Sequence, residues 1–249
     1  MNLTWVSTTN CTKLFKAIQH TNPMINLSFD QNGLHIQSMD ASKSSLVKLE
    51  LHPSHFAAFT CTAPFHFGVY TETLCTILQR SKNSTLMWRS NGDTLDMILT
   101  KDDQKTSFQL RSIEIEEDQL SIPELEDDVA VVVASEVMRD WMSKVHMAKS
   151  DVSFNITDTV ISCSSESTEM GHIKHTEPLD GERVRLVCHR ANVQISLSYH
   201  STQSMAVFSG CGGEKSLVGF SNEQPTRLRV NMSDGHSYLC LYVAPKIEE

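Results

Sequence analysis

Gly33–Leu51 reads GLHIQSMDASKSSLVKLEL. In its second half Val47, Leu49 and Leu51 alternate with Lys48 and Glu50. Successive side chains of a strand point to opposite faces, so this segment has one apolar and one polar side and reads as a half-buried β-strand. Leu34–Met39 carries the same alternation behind the turn signal QNG at Gln31–Gly33. The alternation extends in both directions along the chain. It recurs at Asn2–Ser7, Met24–Phe29, Leu86–Arg89, Thr94–Thr100 and Thr106–Ile115. Further on it marks Val129–Val133, Asp151–Ile156, Thr159–Ser164, His172–His175, Arg183–Cys188, Val193–Leu197, Ser216–Phe220, Thr226–Met232 and Ser237–Val243. NGD at Asn91–Asp93 and SDG at Ser233–Gly235 supply further turns.

Four segments depart from the two-residue period. Thr9–His20 sets Cys11, Leu14, Phe15 and Ile18 on one stripe, with Lys13, Lys16 and His20 on the other side. Thr71–Lys82 gathers Leu74, Ile77 and Leu78. Ser135–Lys149 starts with Ser135 as N-cap and aligns Val137, Met138, Trp141 and Val145 opposite Arg139 and His146, with Lys149 at the edge. Tyr199–Ser209 has the weakest stripe of the four. The order strand, helix, strands, helix, strands therefore occurs twice, without sequence identity between the copies. It predicts an α+β protein of two domains of like topology, each with antiparallel sheets and two helices. The domains are residues 1–113 and 129–249, joined by a connector at 114–128.

That connector reads EIEEDQLSIPELEDD and holds eight carboxylates, no basic group and a small apolar island, Leu120–Leu125. So much like charge predicts a solvated, extended segment, whereas the island predicts a surface that touches something. The net charge of −9 is concentrated here: outside the connector 22 acids face 21 bases. An acidic balance argues against nucleic acid as a partner, but the argument loses force when the excess is local.

No run approaches the roughly 18 apolar residues of a membrane span, and MNLTWVSTTNCTKLF lacks the charged and apolar regions of a secretion signal. The expectation is an intracellular protein, in which the N-x-S/T sequons at Asn2, Asn10, Asn26, Asn83, Asn155 and Asn231 are only polar residues near turns. Seven cysteines, none at C-x-x-C spacing, read as reduced core residues, and no His/Cys spacing fits a metal site.

GCGGEKS at Gly210–Ser216 imitates a phosphate-binding loop, but Glu214 stands where the glycine before the lysine belongs and repels phosphate. There is no G-x-S-x-G, no H-E-x-x-H and no nucleophile in a glycine-rich turn before a helix, so the residues point away from an enzyme and require no cofactor. Basic residues recurring on comparable helix faces in both halves, Lys13 and Lys16 then Arg139 and Lys149, suit weak, sequence-blind phosphate contacts. No aromatics interleave them, which disfavours single-strand stacking.

Three stretches carry a family resemblance. GLHIQSMDASKSSLVKLEL, QLSIPE at Gln119–Glu124 and LYVAPKIEE at Leu241–Glu249 resemble proliferating cell nuclear antigen, the eukaryotic sliding clamp, at matching places in the chain. MGHIKH at Met170–His175 and VQISLS at Val193–Ser198 are weaker echoes. The resemblance implies a DNA clamp fold and a head-to-tail homotrimeric ring around duplex DNA, bound independently of sequence. Thr106–Ile115 of one subunit would pair with Gly171–Thr176 of the next. Lys13, Lys16, His20, Arg80, Arg139, His146 and Lys149 would face phosphates. DNA polymerase, a clamp loader and other proteins carrying the family's short interaction peptide would dock in a groove. Its implied lining is Met39, Leu46, Leu120, Ile122, Pro225, Tyr242, Ala244 and Pro245, edged by Lys43, Ser44 and Ser198. The implied location is the nucleus, or a viral replication site.

The chain departs from the family at Thr76 and Gln79, where lysines are usual, and on the fourth helix, which offers only His200. Lys43, Ser44 and Asp127 differ at the partner site, the last where an aromatic is common. These changes imply a less positive channel and altered partner preference. Two other readings stay open: a related clamp working as a monomer or in a mixed ring, and a nucleotide-hydrolysing enzyme using Gly210–Ser216.

Overall fold

The computed structural model describes residues 1–90, 93–116, 122, 125–179 and 181–246. Asn91 and Gly92 of the expected NGD turn, Leu120 with most of QLSIPE, and the terminal Ile247–Glu249 lie outside the described residues. The first run of elements is β1 (Asn2–Trp5), α1 (Thr8–Thr21), β2 (Met24–Asp30), β3 (Gly33–Met39), β4 (Ser45–Leu51), β5 (Phe56–Thr60), β6 (Phe65–Tyr70), α2 (Thr71–Gln79), β7 (Thr85–Ser90), β8 (Thr94–Lys101) and β9 (Gln104–Arg111). The second is β10 (Val129–Ala134), α3 (Ser135–Val145), β11 (Val152–Ile156), β12 (Val160–Ser167), β13 (Gly171–Pro178), β14 (Val184–His189), β15 (Val193–Leu197), α4 (Tyr199–Ser209), β16 (Lys215–Phe220), β17 (Thr226–Asn231) and β18 (Tyr238–Val243). The two runs have the same order of strands and helices.

The sheets repeat as well. One unit holds the orders β5-β1-β7-β8-β9 and β4-β3-β2-β6, and the other holds β14-β10-β16-β17-β18 and β13-β12-β11-β15. Each strand of the second set has its counterpart at the same place in the first. The first compact unit comprises Met1–Ala41, Val47–Gln119 and Asn231–Leu239; the second comprises Ser42–Leu46, Leu120–Val230 and Cys240–Glu249. The division is therefore not a single cut at the connector, because β4 and β18 each have residues in both units.

The alternation that predicts the strands is also what builds the cores. In β4, Val47, Leu49 and Leu51 are buried while Lys48 and Glu50 are half-exposed. The first unit closes on an aromatic cluster: Trp5 lies edge-on to Trp88 at 5.3 Å and to Phe56 at 5.1 Å, and Phe15 lies 5.6 Å from Trp88. In the second unit Phe154 lies 5.4 Å from Phe220, both fully buried. Each such side chain contributes about 1.5–3 kcal/mol by leaving water. Five of the seven cysteines are buried and all seven are free thiols.

Two strands were not visible in the sequence pattern. β5 is exposed at three of its five positions, and β6 buries Phe67, Gly68 and Val69 in succession, so neither alternates. β6 breaks the alternation at Gly68 alone, since His66 and Tyr70 on the same side stay exposed, and Gly68 is buried by the chain leaving β9. Ile113 N donates to Gly68 O at 3.0 Å, Gly68 N donates to Ser112 Oγ at 3.0 Å, and Asn26 Nδ2 donates to Ile115 O at 3.3 Å. This also ends β9 at Arg111, four residues before the expected limit at Ile115.

The helix ends differ from expectation at several points: α2 stops at Gln79, three residues before Lys82, and α3 at Val145, four before Lys149. α1 is capped by Ser7, whose Oγ accepts from Asn10 N at 3.2 Å. The N-cap of α3 is Ala134, not Ser135. Ser135 instead donates its amide to Glu214 O at 2.8 Å and its hydroxyl to Gly213 O at 3.2 Å. α4 has little apolar stripe because its buried face contains Ser201, Thr202, Ser204 and Ser209. Their burial is tolerated because their hydroxyls are bonded: Thr202 Oγ1 donates to Tyr199 O at 2.9 Å, Ser204 Oγ to His200 O at 3.0 Å and Ser209 Oγ to Ala206 O at 2.9 Å.

On β3, His35 lies between two carboxylates. Its Nδ1–H donates to Glu50 Oε2 and its Nε2–H donates to Asp30 Oδ1 at 3.0 Å. The Glu50 bond above all, then the Asp30 bond, raises the His35 pKa above 6.5 in spite of burial. A raised folded pKa gives stability that is full below the unfolded value, about 6.5, and lost as pH rises through the folded value. Thermal stability should therefore fall as pH rises from about 6.5 through the raised folded value, and His35→Gln should flatten that slope. An identical slope in the variant refutes the assignment.

Candidate DNA and partner interfaces

In the first unit α1 packs on α2, with Thr12 Oγ1 donating to Leu78 O at 3.2 Å. Burial of Cys11, Leu14, Phe15, Ala17 and Ile18 leaves Lys13 and Lys16 exposed on the opposite face, with His20 half-buried in the last turn. Arg80, the C-cap of α2, is exposed, as are Thr76 and Gln79. In the second unit α3 packs on α4. Arg139 is exposed, and its Nε donates to Ser135 O at 3.3 Å. Lys149 is exposed in a left-handed turn with φ 51°.

His146 has a different role from the lysines. Its Nε2 hydrogen-bonds Thr202 Oγ1 at 2.9 Å and its ring meets Tyr199 edge-on at 5.0 Å. Burial lowers its pKa, so near neutrality it is an uncharged link between α3 and α4. α4 itself carries no lysine or arginine. The cations on these faces are therefore Lys13, Lys16, Arg80, Arg139 and Lys149.

Most of the residues expected at the partner site fall within the second unit. Ala244 N donates to Ser44 O at 2.8 Å, which places the segment after β18 beside the segment before β4. Lys43 is exposed with φ 56°, Leu46 is buried, and Ile122, Pro225, Tyr242 and Pro245 are half-buried. Ala244 is exposed. Ser198 is the N-cap of α4, accepting from Ser201 N at 3.1 Å. Met39 ends β3 in the first unit and is half-buried. Leu120 lies outside the described residues.

The far end of the connector corrects the expectation that all eight carboxylates serve solvation. Asp127 is turned inward, its side chain 9% exposed and paired with Arg227 of β17. It rests on Gly219, where a Cβ would come within 2.1 Å of Asp127 Oδ1. Arg227 stands directly across from Gly219 in the sheet, so glycine makes the space and arginine supplies the charge. Burial pushes the Asp127 carboxyl up against the pull of Arg227. Asp128 Oδ2 accepts from Ser221 Oγ at 2.9 Å and Asn222 N at 3.0 Å, and Glu126 pairs with Arg190 at 2.5 Å. An open cleft beside these anchors is lined by Leu125, Glu126, Asp127, Cys188 and Arg190. The one sequence signal for this arrangement is a glycine within the apolar strand KSLVGF, which marks close approach by another group.

Gly210–Ser216 turns carbonyls, not amides, toward its neighbour: Gly213 O and Glu214 O both accept from Ser135. Its described contacts fasten the start of α3 and do not form an anion cradle. Among the described residues no three His, Cys, Asp or Glu side chains are arranged to hold a metal, and no helix is long and apolar enough to cross a membrane.

Two α+β units with matching strand orders and one packed helix pair each define the architecture of a DNA clamp. Residues 2–120 match the family model described as proliferating cell nuclear antigen, N-terminal domain. The DNA polymerase sliding clamp of Methanobrevibacter smithii is 22% identical over 94% of this chain and 93% of its own. A probable DNA polymerase sliding clamp 2 from Paramecium bursaria Chlorella virus 1 is 24% identical over 95% and 87%. The crystal structure of the proliferating cellular nuclear antigen from Entamoeba histolytica shares the fold, with a TM-score of 0.89 at 19% identity over 99% of this chain and 98% of that one. The chain is a divergent member of the proliferating cell nuclear antigen family of sliding clamps.

Proposed function

We propose that three copies close head to tail into a ring around duplex DNA and tether polymerase and other replication and repair proteins to it, without catalysis of their own. The observation that carries this reading is a pair of open edges. β9 and β13 are the outermost strands of their sheets, and they are the counterparts of β18 and β4 in the repeat. The ends of β18 and β4 are joined through Ala244 and Ser44. The same pairing made by β9 and β13 between copies covers both edges and closes a heterologous assembly. The exposed cations of α1, α3 and the end of α2 then supply weak phosphate contacts that permit sliding. α2 and α4 hold no lysine or arginine within their spans, which keeps those contacts few. Such a ring works wherever DNA is replicated, in a nucleus or at a viral replication site.

Light scattering tests the ring: a stable trimer supports it, and a concentration-independent monomer refutes it in favour of a clamp that acts alone or in a mixed ring. Lys13→Glu with Arg139→Glu should leave the trimer intact. It should weaken retention on circular DNA severalfold and flatten its salt dependence by about one unit of log–log slope per lost contact. Retention with an unaltered salt slope counts against these helices as the DNA face. Partners insert an apolar turn and aromatic anchors beside Ile122, Tyr242, Ala244 and Pro245.

A further inference from the structure

We propose that Asp151 is a positioning residue of the partner groove, holding the C-terminal segment Ala244–Lys246 through Lys246 and tying it to the start of α4. The proposal rests on the reading of Ala244 and Pro245 as one wall of that groove. Asp151 stands immediately before β11, and its own backbone is fixed. Ser165 Oγ donates to Asp151 O at 2.8 Å and to Ser150 O at 3.2 Å. The carboxylate then serves two elements at once. Oδ1 accepts the amide of Tyr199, the first residue of α4, at 3.2 Å, and Oδ2 receives the Lys246 ammonium.

The geometry explains why a side-chain tie is useful at this place. Ala244 N donates to Ser44 O and Lys246 N donates to Ser196 O, each at 2.8 Å. Between them Pro245 has no N–H to give. Two backbone bonds to different parts of the second unit hold the segment, and without a further contact it can pivot about them. Ser196 lies on β15, the outermost strand of its sheet, so the segment also shields a free edge. The Lys246–Asp151 pair supplies the third fixed point. It also connects the groove wall to the helix whose first turn meets His146.

The test uses a labelled synthetic peptide with an apolar turn and two aromatic residues, its affinity measured by anisotropy, together with amide hydrogen exchange. Lys246→Ala and Asp151→Asn should each weaken the peptide about threefold to fivefold, as loss of an exposed ion pair does, and the double variant should weaken it no further. Asparagine keeps the oxygen that accepts from Tyr199, so exchange there should hold in Asp151→Asn and rise only in Asp151→Ala. Exchange at Lys246 should rise in all of them. Exchanging the two charges, Asp151→Lys with Lys246→Asp, should recover part of the affinity. Unchanged affinity in both single variants, or losses that add in the double, overturns the proposal. Failure of the unaltered protein to bind the peptide overturns the groove and the docking role together. Exchange at Lys246 then shows whether the tie itself exists, which separates the two failures.

Discussion

Replacing Leu120 and Ile122 with alanine should abolish stimulation of a polymerase while the assembled clamp stays intact. Both belong to the apolar island of an otherwise acidic connector. Ile122 is half-buried, and in the proposed groove its exposed part would meet the partner. Anchors that fill such apolar sites dominate peptide binding, and truncating one commonly costs about 2 kcal/mol or more, roughly a thirtyfold loss of affinity. Two together exceed what a transient complex withstands. Neither residue lies on β9 or β13, so light scattering should be unaltered. Polymerase stimulation that survives the double variant removes the connector from the docking site.

Gly68→Ala should destabilise the first unit by about 2–4 kcal/mol and release the start of the connector. A Cβ on Gly68 would stand 2.0 Å from Ile113 O, a backbone atom that cannot swing aside as a side-chain end does. To make room, the segment from Ser112 to Ile115 must lift off β6. Its bonds to Gly68 and Asn26 are then lost, and the buried backbone of Gly68 loses its partners. A denaturation midpoint that drops, with faster exchange at Ile113, is the expected result. A midpoint equal to that of the unaltered protein refutes the close approach.

The connector thus enters on one glycine and leaves on another. At Gly68 the approaching group is a backbone carbonyl, and at Gly219 it is the Asp127 carboxylate. Asp127 is therefore more than a surface charge on the connector. The side chain points into the protein, and the arginine that answers it is Arg227, a hundred residues later in the chain.

The repeat of elements, the antiparallel sheets and the four helices, α4 least clearly, were legible because each depends on local periodicity. Val47, Leu49 and Leu51 disclose a strand through spacing alone, and Leu14, Phe15 and Ile18 a helix. Periodicity fails where a face is covered from elsewhere. β6 breaks its alternation at Gly68 because Ile113 closes over that residue, and α4 has only a weak apolar stripe because backbone carbonyls satisfy its buried hydroxyls. The positions of Lys13, Lys16 and Arg139 on exposed helix faces follow from the same local rule. The neutrality of His146 does not, since it comes from Thr202 and Tyr199 on another helix.

By itself the sequence determined a two-fold α+β repeat, an acidic joint between its halves and a likeness to sliding clamps, all properties of neighbouring residues or of whole motifs. Only the tertiary structure decided how the joint is held. Its acids Glu126, Asp127 and Asp128 are anchors, and Asp151 serves a terminus and a helix at once. The reason is physical: a carboxylate in water and one buried against arginine are the same letter, and only distant parts of the chain determine which environment it has.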